Sequence, residues 1–147
     1  MLDANALFLP FTQAVELDRE IRRWEEGTIV VPASVIVELD ELAARDVPAA
    51  RLAREFARRF PTISAPGRGD AAILALATRS GDVVVTADRG LRDELARRGV
   101  RVLVPRDRSH LAPFARRSAV RSPGTVMNRT PLVRPRRRRR VRNARSG

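Results

Sequence analysis

Short apolar runs alternating with helix-period segments constrain this chain more than any other feature. Val83-Val84-Val85 is the clearest such run, Thr28-Ile29-Val30-Val31 is another, and Val100–Val104 closes the series. Runs this short, without polar alternation, suit strands buried on both faces. Leu2 leads directly into Asp3, so a first strand there is expected to be very short, and Thr62-Ile63-Ser64 offers one more.

Between the runs lie helical patterns. Gln13 to Glu26 places Ala14, Leu17, Ile21 and Trp24 on one face, and Gly27 ends it. Pro32 and Ser34 open a helix with Val35, Leu39 and Leu42 inward. Pro48 starts another, with Leu52, Phe56 and Phe60 as its core stripe. Asp70 to Arg79 and Leu91 to Arg98 complete the set, stopped by Gly81 and Gly99. The order predicts an α/β fold: a central parallel sheet of four or five short strands, flanked by helices, over residues 1–112.

Four acids stand where these elements begin or end: Asp3, Glu38, Asp70 and Asp88. A carboxylate beside an apolar run is costly unless something compensates it. In open parallel sheets, ligands gather at the carboxyl ends of the strands. Four such acids at one rim suggest a shared divalent cation, and with it phosphate chemistry. Crowded together without a cation, at least one should hold its proton longer than a free acid. Taken singly, each has a plainer reading. Asp70 after Gly69 suits a helix cap, Asp88 before Arg89-Gly90 a turn, and Glu38 a solvated or arginine-paired position. Glu41 and Asp93 read first as surface ion-pair partners, Asp93 at i,i+4 spacing from both Arg89 and Arg97.

Composition excludes several chemistries. The 147 residues contain no cysteine, hence no disulfide, thiolate metal site or cysteine nucleophile. No Gly-rich loop ends in Lys-Ser or Lys-Thr, which excludes a P-loop. A phospho-acceptor receiver site would want a lysine, and the chain has none. A dehalogenase-type site would want a second acid two residues after the first, where Asn5 stands. No apolar run approaches the ~20 residues of a membrane span, and a cytoplasmic setting without membrane contact is expected.

Charge divides the chain. All 29 basic residues are arginine. Arginines and acids balance over residues 1–112, whereas residues 113–147 hold no acid and carry the net charge of +12. That segment is expected to be disordered when free, and to contact nucleic acid through Arg136, Arg137, Arg138, Arg139, Arg140 and Arg142.

The motifs Leu2-Asp3-Ala4-Asn5, Val31-Pro32-Ala33-Ser34-Val35-Ile36-Val37-Glu38, Gly69-Asp70-Ala71-Ala72-Ile73 and Val83-Val84-Val85-Thr86-Ala87-Asp88-Arg89, in this order, resemble the PIN-domain nucleases over residues 1 to about 111. Within that family the chain is similar to small archaeal stand-alone members, both VapC-type toxins and the nuclease of small-subunit rRNA maturation. The resemblance implies Asp3, Glu38, Asp70 and Asp88 as catalytic metal ligands for one or two Mg²⁺ or Mn²⁺ ions. Asn5, Thr86 and Asp93 would orient them. It further implies hydrolysis of RNA, ribosomal or transfer RNA among the candidates, to 5′-phosphate and 3′-hydroxyl ends. A homodimer and an antitoxin protein are the partners it suggests. The alternative is a non-catalytic RNA- or ribosome-binding protein acting through its arginine-rich tail.

Overall fold

The computed structural model describes residues 1–115. The expectations for the arginine-rich tail, including Arg136–Arg140 and Arg142, lie outside the described residues. Met1–Phe114 forms one compact unit. In chain order its elements are α1 (Ala4–Thr12), α2 (Leu17–Arg22), β1 (Val31–Pro32), α3 (Ala33–Ala44), α4 (Ala50–Ala57), β2 (Thr62–Ile63), α5 (Gly69–Ser80), β3 (Val84–Val85), α6 (Arg89–Arg97), β4 (Val102–Pro105) and β5 (Leu111–Pro113).

The strands do not form the continuous parallel sheet of four or five that the sequence predicts. β1 pairs with β2 in parallel, and a separate ladder runs β3-β4-β5. β3 and β4 are parallel; β5 turns back antiparallel on β4. Leu2 connects the two ladders. It forms a parallel bridge with Val85, and its N–H donates to the Val30 carbonyl at 3.0 Å. The N-terminal amine donates to Val83 O at 2.9 Å, and Val85 N–H to Met1 O at 2.9 Å. One residue thus does the work of a strand.

Two further expectations require correction. The helix predicted over Gln13 to Glu26 shrinks to the six residues of α2. Gln13 is extended, and Ala14 donates its N–H to Arg108 O at 2.8 Å, so that stretch is tied across to the β4–β5 loop instead of coiling. The chain also forms α1, for which the sequence offered no periodic signal; Pro10 lies inside it.

The core is aliphatic. Leu2, Leu7, Leu17, Leu39, Leu91 and Leu95 are fully buried, with Val31, Val35, Val84 and Val85. Trp24, expected in it, is 42% exposed. Its indole N–H donates to Leu111 O at 3.0 Å, while the buried Glu20 accepts from Leu111 N–H at 3.1 Å. Both residues therefore serve the outer side of β5. Leu52, expected in the α4 core stripe, is 56% exposed. Ala50, Ala53 and Ala57 face inward instead, because α4 packs closely against α1 and α3. Phe56 is half-buried, edge-on to both Phe11 and Phe60, with ring centroids 5.9 and 5.3 Å away.

These burials separate two leucines that sequence alone does not rank. Leu7→Ala is expected to lower unfolding free energy by about 2–5 kcal/mol. Leu52→Ala should change it by no more than about 0.5 kcal/mol. Urea midpoints of the two variants check this; equal shifts would contradict the assigned packing.

Candidate active site

Asp3 is buried, 3% exposed. One carboxylate oxygen caps α1, accepting from Ala6 N–H at 2.7 Å. The other accepts the Thr86 hydroxyl, which is itself fully buried. The Thr86 oxygen in turn accepts Asp88 N–H at 3.0 Å. Asp88 caps α6, its Oδ1 accepting Leu91 N–H at 3.0 Å. A continuous hydrogen-bonded path therefore runs from the N-terminus of α1, through the residue that follows β3, to the N-terminus of α6. Both helix ends present partial positive charge to these acids.

Glu38 lies on the second turn of α3, just past β1, and Asp70 in the first turn of α5. Both reach solvent. With Ser34, Val37, Glu41 and Arg68 they line an open cleft of about 440 Å³. The Ser34 hydroxyl is a buried side-chain oxygen with no hydrogen-bond partner among the described residues. Sequence reading took Ser34 only as a helix opener.

The acids feel one another. Burial pushes the Asp3 carboxyl up to about 7; the negative fields of Asp70 and Asp88 add to it, against the hydrogen bonds from Thr86 and Ala6. Glu38 is raised first by partial desolvation, then by Asp70, Glu41 and Asp88. Asp70 is raised by desolvation and by Asp88. Arginine does not relieve them. Most acids of the body are ion-paired, but among the described residues Asp3, Glu38, Asp70 and Asp88 form no salt bridge.

The structure brings the four within electrostatic reach without closing a cage. Among the described residues, no three acidic or histidine side chains lie close enough to clasp one ion. The donor chemistry nevertheless fits a hard divalent cation: carboxylates with the Ser34 and Thr86 hydroxyls, and neither sulfur nor imidazole. Asn5 is exposed and, among the described residues, hydrogen-bonds to none of the four acids. Asp93 pairs with its neighbour Arg92 at 3.0 Å, and neither Arg89 nor Arg97 is its partner; Arg97 turns to Glu94. His110 sits in the β4–β5 loop, held by Asp107 at 2.9 Å.

Comparison with known proteins follows this geometry. A family model described as a PIN like domain matches residues 1–108. A relative from Archaeoglobus fulgidus, Ribonuclease VapC9, is 24% identical over 106 residues, covering 69% of this chain and 78% of its own length.

The raised Asp3 carboxyl fixes a sign for stability. The folded state holds this proton above the unfolded value of 3.8, so the contribution is complete below about pH 4 and is lost as pH rises through about 7. In chelator-treated buffer, unfolding free energy should therefore fall between those values. Asp3→Asn should flatten the fall and raise stability at pH 8, by at most about 4 kcal/mol at ~1.4 kcal/mol per unit. Denaturation midpoints from pH 4 to 8 test it; parallel profiles for the two proteins would count against a buried neutral Asp3.

Proposed function

The chain belongs to the PIN-like domain family, and from that premise we propose that it is a divalent-metal-dependent endoribonuclease. One observation carries the reading. In a body supplied with arginine, the four acids from four separate elements are left, among the described residues, without arginine partners, and burial together with neighbouring acids raises the proton affinity of Asp3, Glu38 and Asp70.

Asp3, Glu38, Asp70 and Asp88 would hold Mg²⁺ or Mn²⁺. When bound, the metal supplies neutralisation of phosphate charge and an activated water for in-line attack. The residues set the stage for it. Ala6 N–H and the Thr86 hydroxyl fix the orientation of Asp3. Thr86 also holds the Asp88 backbone, so these two acids keep a constant relation. Glu38 and Asp70 border the cleft where an RNA strand would enter. Because the acids bind metal in their ionised form, cleavage should climb from acidic to mildly alkaline pH. Products with 5′-phosphate and 3′-hydroxyl ends are the expectation.

The name of the Archaeoglobus relative favours a VapC-type role over rRNA maturation. A VapC-type role would pair the protein with an antitoxin encoded in an adjacent gene. The arginine-rich tail would supply the affinity that an acidic site denies to RNA.

Cleavage of a short labelled RNA in Mn²⁺ should vanish with chelator. It should fall by about 100-fold or more in Asp3→Asn and Asp88→Asn, with RNA binding retained. No cleavage by the native chain would favour the RNA-binding alternative. Deleting residues 116–147, which spares β5 and the Phe114 N–H bond to Val102 O, should weaken binding. Its salt slope should fall by about 0.7 per lost phosphate contact while cleavage of the short RNA persists. Unchanged affinity and slope would make the tail idle.

A further inference from the structure

Among the described residues, the cleft beside Glu38 and Asp70 has a single cationic side chain on its lining, Arg68. The sequence presents it only as part of a loop feeding α5. Its guanidinium crosses the cleft to Glu41, Nη2 donating to Oε2 at 2.8 Å. Glu41 lies one turn beyond Glu38 on α3, so the pair stands beside the candidate catalytic acids.

The pair is built to be exchangeable. The Arg68 and Glu41 side chains are 75% and 54% exposed. An ion pair this open adds little to stability and is readily exchanged. Arg68 itself is extended (φ −137°, ψ 155°) and sits between Gly67 at φ +94° and Gly69 at φ +59°. Gly67 and Gly69 take backbone conformations that other residues rarely adopt, so the turn that presents Arg68 depends on glycine at both positions. The cleft walls are otherwise acidic, through Glu38, Glu41 and Asp70. Among the described lining residues, a polyanion entering there meets one cationic group, and a guanidinium fork matches phosphate bidentately.

We propose that Arg68 is a substrate-positioning residue, which releases Glu41 to take a backbone phosphate of the bound RNA next to the bond cut at the acids. Glu41 is the internal anion that occupies the fork until RNA displaces it. This rests on the nuclease reading for its substrate; the Glu41 contact and the glycine-flanked turn are independent of it.

The test compares full-length native chain, Arg68→Gln, Arg68→Lys, Glu41→Gln and Asp3→Asn on one labelled single-stranded RNA in Mn²⁺. Arg68→Gln should raise KM about tenfold, with kcat within about twofold and thermal midpoint unchanged. The salt slope of KM should fall by about 0.7, one phosphate contact. Arg68→Lys should fall between, and Glu41→Gln should lower KM. If native chain cleaves, Asp3→Asn does not, and Arg68→Gln matches native KM, the proposal is overturned while the nuclease reading stands. An effect on kcat alone overturns it too. If no form cleaves, the nuclease reading fails, and equilibrium binding of the same RNA decides. Equal Kd and salt slope for native and Arg68→Gln then overturn the phosphate grip, and a weaker, flatter Arg68→Gln supports it.

Discussion

The carboxylate of Asp3 is the constraint on which the rest of the molecule leans. It is buried, it caps one helix, and it receives the hydroxyl that follows β3. Its own N–H donates to Val85 O at 3.3 Å. A helix cap of this kind contributes about 1 kcal/mol, and burying the charge costs more than that. The balance is met by raising the group's proton affinity, so that ionisation is delayed to about pH 7. The hydrogen bonds that order this corner of the fold and the burial that disfavours its charge thus act on the same carboxylate.

The same dependence explains which parts of the fold were legible. Val83–Val85, Pro32 at the start of α3, and Gly81 after α5 are local signals, and the elements stand where those residues put them. Elements defined by partners far along the chain were not legible. Leu2 acts as a strand only because Val30 and Val85 flank it. β5 exists because β4 offers an open side, and no periodicity in Leu111-Ala112-Pro113 announces it. Trp24 and Leu52 fit a helical stripe by spacing, yet close packing of alanines and the needs of β5 place both outward.

At the site, Asp3, Asp70 and Asp88 stand at helix starts, as their places in the sequence suggest, whereas Glu38 lies on the second turn of α3. Thr86 was legible from the Thr86-Ala87-Asp88 motif. The Arg68–Glu41 contact spans 27 residues of sequence, and spacing carries no trace of such a pair. Ser34 was hidden for a different reason. A serine opening a helix is so common that an unpartnered hydroxyl there has no signature. Asp93 shows the converse: ideal spacing to two arginines lost to the nearest neighbour, Arg92.

The last strand has a consequence of its own. Open sheet margins invite other chains to zip on. At β5 the alternation of the ladder turns the backbone polar groups of Leu111 and Pro113 away from β4, while the Leu111 side chain stays buried. Glu20 occupies the Leu111 amide, Trp24 occupies its carbonyl, and proline has no amide to give. Within Leu111–Pro113 an incoming strand finds no donor to recruit. A tryptophan and a glutamate are the stoppers that close this margin to strand addition.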